Sequence, residues 1–123
     1  MELAQARNED VTVISASGRV DHANAETFKA GLDPHVKACT SGGDPLLLDL
    51  SGLEYISSAG LRVLMLAARE VKQQQGTLAL CSLQPVVQEI FEISRFNVVF
   101  KIYRDRRAAV AGLSKRAVGG AAH

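Results

Sequence analysis

The sequence predicts an α/β sandwich built on a largely parallel β-sheet with an antiparallel edge. Three observations support this fold class: the chain opens with a period-two apolar pattern, strand-like segments then alternate with amphipathic helical segments, and 123 residues suffice for one domain with one core. Strands that alternate with helices are joined by right-handed crossovers. The sheet should therefore be parallel beyond its first two strands.

The first predicted element is a β-hairpin. Residues 11–17 alternate apolar and small polar side chains, which suits a strand with one buried face. Residues 3–7 can pair with this strand across a turn at residues 8–10. The chain is therefore expected to begin with two antiparallel strands.

A helix is predicted to follow the hairpin, with Asn24 as its N-cap. The residues that recur on its apolar face are Phe28, Leu32 and Val36. Because proline lacks an amide donor and clashes with the preceding turn, Pro34 requires that the helix kinks or restarts with Asp33 as a new N-cap. Residues 40–45 then break the helix, and residues 46–50 predict a strand that is covered on both faces.

The best-defined predicted element is a helix at about residues 58–75. Its expected apolar stripe consists of Leu61, Leu64, Met65, Ala68 and Val71. Arg62 and Arg69 lie on the opposite, polar side of this helix. Gly76 suits the C′ position that ends it.

Two further strands and two further helices complete the prediction. Residues 77–81 predict a strand, Pro85 opens a helix, residues 98–103 predict the last strand, and a basic helix begins at Arg106. The apolar residues expected on the helix that Pro85 opens are Val86, Ile90 and Ile93. Residues 114–123 have little to bury and are expected to form a flexible tail, which leaves a single domain at residues 1–113.

Composition indicates an aliphatic core and no metal or disulfide framework. Hydrophobic residues make up 47% of the chain, and aromatic residues only 5%. Cys39 and Cys81 lie far apart and match no ligand spacing, so both are expected to be reduced thiols. Because no apolar run is long enough for a signal peptide or a membrane span, we expect a cytoplasmic protein that does not insert into a membrane.

The net charge of +1 conceals a basic segment near the C-terminus. Its charged residues are Lys101, Arg104, Asp105, Arg106, Arg107, Lys115 and Arg116. A charge run of this kind is most often a solvated helix face. We therefore predict no nucleic-acid partner.

Ser57 and Ser58 place two hydroxyl groups at the start of the helix at residues 58–75. The first amides of a helix lack partners within the helix, and this end carries partial positive charge. A serine here can therefore act as an N-cap, and a phosphate would be tolerated electrostatically. Position alone leaves both interpretations open.

The segment at residues 46–64 resembles the signature of STAS domains, the family of anti-sigma factor antagonists. The matching residues after the apolar strand are Tyr55, Ile56, Ser57, Ser58, Ala59, Gly60 and Leu61. Residues 18–21 are similar to the Gly-x-apolar-Asp turn that lies beside the phosphorylation site in this family. The order of elements agrees over residues 3–113. The resemblance implies a STAS-like sandwich, with a mixed, mostly parallel sheet of about five strands and helices packed mainly on one face.

The resemblance also implies a regulatory protein that is not an enzyme. In this family the unphosphorylated domain binds an anti-sigma factor that is itself a serine kinase, phosphorylation of a serine reverses the binding, and a metal-dependent PPM-type serine phosphatase restores it. Ser58 falls on the phosphorylated serine, with Ser57 as the alternative. Ser57 departs from the family pattern, because many members have Asp at this position.

The expected partner surface combines the segment before the first helix, the serine turn and the exposed flank of the following helix. Its residues are Gly18, Arg19, Asp21, His22, Asn24, Ser57, Ser58, Ala59 and Arg62. For Arg62, partner contact and simple solvation of the helix remain equally open. No cofactor or metal is expected, so any ATP and magnesium would belong to the kinase.

Two other functional classes compete with this interpretation. A serine hydrolase is disfavoured, because Gly-x-Ser-x-Gly is absent and no spacing ties His22 or His35 to Ser58. The serious alternative is a STAS accessory subunit of a transporter, or a scaffold in a stress-signalling assembly, without phosphorylation. The oligomeric state stays open.

Overall fold

The computed structural model describes residues 1–114. Its strands are β1 (Glu2–Asn8), β2 (Val11–Val20), β3 (Leu46–Ile56), β4 (Leu78–Cys81) and β5 (Lys101–Tyr103). Its helices are α1 (Ala25–Ala38), α2 (Ser58–Gln73), α3 (Pro85–Ile93) and α4 (Arg106–Leu113), with a 3₁₀ turn at Phe96–Val98. Most of the expected tail lies outside the described residues; Ser114 is buried, and its hydroxyl donates to the carboxylate of Asp10.

The sheet has the strand order β1-β2-β3-β4-β5. β1 and β2 are antiparallel, with Ala4 opposite Ser15, and the other neighbours are parallel. In the centre of the sheet, Leu48 of β3 lies between Ile14 of β2 and Leu80 of β4. The predicted hairpin and mostly parallel sheet are therefore confirmed.

The core has two parts, one on each face of the sheet. α1, α2 and α3 cover one face through buried side chains that include Phe28, Leu64 and Phe91. α4 covers the other face, where Ala109 and Leu113 pack with side chains of β2, β3 and β4. Three of the four described helices thus share one face, as predicted.

Both cysteines are buried free thiols, in agreement with the prediction. The Cys39 thiol donates to the carbonyl of Thr77 at 3.2 Å. Burial raises the pKa of the Cys81 thiol to about 11. A thiol with such a pKa remains protonated, and hence a poor nucleophile, at neutral pH.

β2 and β3 are longer than predicted, and this difference shapes the site described below. The predicted turn at residues 18–21 and the loop after Leu50 are largely strand, because the two segments pair in parallel up to Val20 and Ile56. The register shifts between Gly18 and Arg19, and Gly18 adopts a φ of 88°, which side chains disfavour. The bulge keeps the strands paired instead of ending them.

α1 runs through Pro34 as one helix, so of the two expected alternatives, a kink or a restart at Asp33, the restart is wrong. Pro34 is exposed, and the buried stripe on the opposite side holds the helix against the sheet. Asp33 instead accepts a hydrogen bond from Lys29, one turn earlier, at 3.0 Å. Tertiary packing therefore outweighs the missing amide donor.

The buried side of α2 is rotated relative to the predicted stripe. Val63 and Ala67 are buried, whereas Met65 and Ala68 are only partly buried. The cause is α1, which packs alongside α2 and covers side chains that periodicity alone assigns to the flank. Leu61, Leu64 and Val71 are buried as expected.

The end of α2 also differs from the prediction. Gln75, not Gly76, occupies the left-handed C′ position, with a φ of 61°. The amide of Gly76 closes the helix by donating to the carbonyl of Val71 at 2.9 Å. Gly76 is required for a different reason: a Cβ there would lie 2.2 Å from the carbonyl oxygen of Cys39.

The predicted apolar face of α3 is wrong at Val86 and Ile93, whereas Ile90 is partly buried against the core as expected. Val86 and Ile93 are 54% and 76% exposed, while Val87 and Phe91 are fully buried. The Phe91 ring packs against Phe96 and Phe100, with each pair of ring centroids 6.1 Å apart. This aromatic cluster sets the rotation of α3.

The same cluster shortens the last strand. The aromatic contacts draw residues 96–98 into a 3₁₀ turn, so β5 begins only at Lys101. Val98 and Val99, which the prediction placed in the strand, are 77% and 56% exposed. The predicted strand at residues 98–103 is thus correct only in its second half.

A partly buried ion pair joins α4 to the sheet. The Arg106 Nε atom donates to Asp49 Oδ2 at 2.9 Å, and its Nη2 atom donates to Ser15 Oγ at 2.9 Å. The amide of Ser51 donates to Asp49 Oδ1 at 3.0 Å. Burial opposes ionisation of Asp49, but the hydrogen bonds from Ser51 and Arg106 outweigh it and hold the pKa of this carboxyl below its ordinary value.

Arg106 was expected to lie on a solvated face, and the structure corrects this expectation. Its side chain is 36% exposed and covers Asp49, whose side chain is only 7% exposed. The partner is 57 residues away in sequence, so no local pattern could have indicated it.

The rotation of α3 predicts a contrast between two substitutions. Phe91→Ala should lower the free energy of unfolding by about 3 to 5 kcal/mol, because it removes a fully buried ring and leaves a cavity. Ile93→Ala should change it by less than about 0.5 kcal/mol, because the side chain is exposed. Urea unfolding of both variants measures the difference, and equal losses would contradict the assigned rotation.

The ion pair predicts a pH-dependent contribution of Asp49 to stability. Because the pKa of this carboxyl is lower in the folded than in the unfolded chain, its contribution is present above the unfolded value of about 4 and is lost as pH falls through the folded value. Asp49→Asn should therefore cost about 1 to 2 kcal/mol at pH 7, and the gap from the wild type should narrow below about pH 4. Urea unfolding at pH 7 and at pH values below about 4 measures how the gap changes.

Glu89→Gln, which alters an exposed carboxylate on α3, is the control for this experiment. It should follow the wild type across the pH range. A gap between the wild type and Asp49→Asn that stays constant with pH would contradict the assigned role of Asp49.

Candidate functional site

The candidate site lies where β2 and β3 end side by side. Arg19 pairs with Tyr55 and Val20 with Ile56, and the amide of Ser57 donates to the carbonyl of Val20 at 2.8 Å. The segment before α1 and the serine pair are far apart in sequence. The parallel register nevertheless brings the two predicted halves of the surface together.

Ser57 is the N-cap of α2. Its backbone is extended, with a φ of −83° and a ψ of 172°, and its Oγ atom accepts a hydrogen bond from the amide of Gly60 at 3.2 Å. The residue is only 4% exposed. Its hydroxyl is therefore engaged and largely shielded from a partner.

Ser58 is the first residue of α2 and is exposed. Its hydroxyl has no hydrogen-bond partner among residues 1–114. The first turn of α2 contains no acidic residue. The partial positive charge at this helix end is thus not neutralised by a side chain of that turn.

Gly60 sets the distance between α2 and the strand ends. A Cβ at this position would lie 2.7 Å from side-chain atoms of both Ile56 and Val20. The start of α2 can sit this close to the sheet only because residue 60 has no side chain. Ala59 is partly buried beside it.

The turn between β2 and α1 is held by two polar side chains. Asp21 Oδ1 accepts hydrogen bonds from the amides of Ala23 and Asn24 at 2.9 and 3.1 Å. Asn24 Oδ1 accepts from the amide of Asp21 at 2.8 Å, and its Nδ2 donates to the carbonyl of Arg19 at 2.9 Å. Asp21 and Asn24 therefore each accept a hydrogen bond from the backbone amide of the other.

Asn24 occupies the N-cap position of α1 but makes no capping hydrogen bond, contrary to the prediction. Its side chain points back to the turn at residues 19–21 instead of forward to the helix amides. Asp21 likewise has a structural role within the turn, because it accepts two of its amide hydrogen bonds.

The remaining predicted site residues divide into exposed and structural positions. His22 and Arg62 are exposed. Arg19 is also exposed, and its guanidinium lies 4.5 Å from the centroid of the Tyr55 ring, a cation–π contact. Gly18 is half-buried in the bulge of β2, so its part in the site is to shape the backbone.

No group of three or more potential metal-ligating side chains occurs in the part of the chain that the structure describes. None of the helices within residues 1–114 has the length and apolarity needed to cross a membrane. A cleft of about 710 Å³ lies near the far end of α2, between Lys72 and Phe100, and includes none of the predicted site residues. The candidate site is thus a surface around the serine turn.

Residues 3–109 match the family model of the STAS domain. The chain belongs to the STAS family. This STAS domain is 42% identical over 111 residues to BtrV of Bordetella bronchiseptica, an anti-sigma factor antagonist by name, and the alignment covers 90% of this chain and 93% of BtrV. The predicted family is therefore confirmed.

Solved structures with lower identity share the fold of this STAS domain. An anti-sigma factor antagonist from Mycobacterium paratuberculosis superposes with a TM-score of 0.80 and 19% identity, covering 91% of this chain and 92% of the other. Unphosphorylated SpoIIAA superposes with a TM-score of 0.71 and 18% identity, covering 96% of this chain and 97% of the other. Phosphorylated Bacillus SpoIIAA superposes with a TM-score of 0.64 and 17% identity, covering 89% of this chain and 96% of the other. The predicted STAS-like sandwich is confirmed.

Sequence reasoning missed the contact between Arg19 and Tyr55 and the mutual bonding of Asp21 and Asn24. The second arrangement has a sequence signal, because an Asp and an Asn three residues apart often bond to nearby backbone amides. The contact between Arg19 and Tyr55 has no such signal, because it depends on the register of β2 and β3, which are longer than predicted.

The geometry of the serine pair predicts different stability effects for its two members. Ser57→Ala should lower the free energy of unfolding by about 1 kcal/mol, because it removes the N-cap of α2. Ser58→Ala should change it by less than about 0.5 kcal/mol, since the exposed hydroxyl makes no hydrogen bond in the described structure. Thermal and urea unfolding of both variants measure this contrast, and the reverse order would contradict the assigned roles.

Proposed function

We propose that this STAS domain is an anti-sigma factor antagonist in a phosphorylation-controlled partner switch, and a regulatory binding protein instead of an enzyme. It binds a serine-kinase anti-sigma factor while Ser58 is unmodified, and it is released when Ser58 is phosphorylated. A PPM-type serine phosphatase returns it to the binding state. The observation that carries this proposal is an exposed, unbonded Ser58 hydroxyl beside a turn held rigid by Asp21 and Asn24.

Accessibility favours Ser58 over Ser57 as the phosphoacceptor. A kinase must bring the γ-phosphate of ATP into line with the attacking hydroxyl oxygen. Ser58 can present that oxygen without breaking a contact, whereas Ser57 would have to leave a buried cap and free the amide of Gly60. Phosphorylation of Ser57 would thus have a cost in helix stability that phosphorylation of Ser58 avoids.

A phosphate on Ser58 alters the surface without requiring the domain to refold. It adds about 1.5 to 2 negative charges at pH 7. The start of α2 tolerates this charge, because the helix end is partly positive and its first turn contains no carboxylate. A partner fitted to a neutral hydroxyl would have to desolvate the new charge, so docking weakens.

The proposed docking surface contains both rigid and cationic parts. The bonded turn around Asp21 and Asn24 presents a preorganised backbone, which lowers the entropy lost on binding. Arg19 and Arg62 offer guanidinium groups. His22 lies three residues after Arg19 in the sequence, and Ala59 lies three residues before Arg62. Acidic groups on the partner would complement this surface.

The proposal places the protein in the bacterial cytoplasm, where the switch would control transcription through a sigma factor. Similarity to BtrV over most of both chains supports this assignment. ATP and its magnesium ion would be bound by the kinase, and this chain would need no cofactor. The competing assignment is a STAS accessory subunit of a transporter or a stress-signalling scaffold, in which Ser58 is never phosphorylated.

Binding of Ser58 variants to the kinase tests the proposal. The partner is first identified by affinity purification of the tagged protein from its native source and mass spectrometry, and is then titrated calorimetrically. Ser58→Ala should bind within about twofold of the wild type, whereas Ser58→Asp should bind at least about tenfold more weakly, because docking would desolvate its charge. Ser94→Asp, which adds the same charge at an exposed site after α3, should bind normally.

Three outcomes would contradict the proposal. If Ser58→Ala and Ser58→Asp bind the kinase with equal affinity, charge at position 58 does not control binding. A transporter or scaffold as the main partner, with no phosphate on the peptide that contains Ser57 and Ser58 under any growth condition, would establish the competing assignment. Phosphate found on Ser57 alone would overturn the choice of acceptor.

A further inference from the structure

Arg62 is an exposed cation without an ionic partner in the described structure. No carboxylate within residues 1–114 lies within 4.0 Å of its guanidinium. Its neighbours one turn away on α2 are Ser58, Ala59, Met65 and Leu66, none of which is charged. Arg62 therefore lacks a partner within its own helix as long as Ser58 is unmodified.

The spacing of Ser58 and Arg62 suits an ion pair once Ser58 carries a phosphate. Residues four apart on a helix are surface neighbours, with Cβ atoms about 5 to 6 Å apart. Such a pair is more favourable when the anion is on the N-terminal residue and the cation is on the C-terminal residue. Ser58 is the first residue of α2 and is exposed, so both side chains can meet in solvent without disturbing the core.

Other charged groups at the strand ends have their own contacts or lie on other elements. Arg19 is stacked on the ring of Tyr55, and Asp21 accepts two amide hydrogen bonds within its turn. His22 and Glu54 are exposed on the neighbouring turn and strand. Arg62 is the cation that shares the first two turns of α2 with Ser58.

We infer that Arg62 pairs with the phosphate of phosphorylated Ser58 within α2. The biological occurrence of this pair rests on the function proposed above. In the unphosphorylated protein, Arg62 is free to face a partner. In the phosphorylated protein its guanidinium faces the phosphate, so one modification would add an anion to the docking surface and engage a cation of that surface. Arg62 is thus a positioning residue for the phosphorylated state.

The pair can be tested on protein that carries phosphoserine at position 58 by co-translational incorporation, without any kinase. The ³¹P NMR signal is followed from pH 4 to pH 8 to obtain the second pKa of the phosphate, ordinarily about 6. Arg62→Gln should raise this pKa by about 0.3 pH unit, because the dianion loses its cation. Arg62→Lys should retain most of the wild-type behaviour.

Arg69→Gln is the matched control, because Arg69 is an exposed arginine of the same helix, eleven residues from Ser58 and likewise without an ion pair in the described structure. It should leave the titration of the phosphate unchanged. In 1 M NaCl, the difference between the wild type and Arg62→Gln should shrink, because salt screens an exposed pair.

Identical titrations of the Arg62→Gln and Arg69→Gln proteins would overturn the inference. Because the phosphate is installed during synthesis, this outcome is independent of whether a kinase modifies Ser58 in the cell. Conversely, a failure of the kinase to phosphorylate Ser58 would overturn the proposed function and would leave the measured pair intact.

Discussion

The parallel pairing of the ends of β2 and β3 is the constraint on which the candidate site depends. The hydrogen bond from the amide of Ser57 to the carbonyl of Val20 fixes where the chain leaves the sheet. The absence of a side chain at Gly60 then lets α2 start against Val20 and Ile56. These two contacts set the direction of the first turn of α2, and hence which serine is buried and which is exposed.

This arrangement gives two adjacent serines different positions: Ser57 is a buried helix cap, and Ser58 is an exposed hydroxyl. Ser57 satisfies a helix amide and is shielded, while Ser58 faces solvent. A modification of Ser58 can therefore change the charge of the surface without disturbing the cap that holds α2. Ser57 places no carboxylate directly before Ser58, and Arg62 is the cation of the first two turns of α2.

The rest of the domain keeps this edge of the sheet rigid. α1, α2 and α3 cover one face, and α4 closes the other through an aliphatic cluster and the ion pair of Arg106 with Asp49. Asp21 and Asn24 immobilise the turn beside the serines through four hydrogen bonds. A partner would thus meet a preformed surface, so a local charge change can alter affinity directly.

The sequence by itself determined the alternation of strands and helices, the opening hairpin and the position of the serine pair at the start of α2, because apolar periodicity and helix-end preferences are local properties. Only the tertiary structure decided the lengths of β2 and β3, the rotation of α2 and α3, and the contact of Arg106 with Asp49. Each of these depends on which distant segment supplies the opposing atoms. The same holds for Ser57 and Ser58: both suit a helix start, and only the packing of α2 on Val20 and Ile56 decides which hydroxyl is accessible.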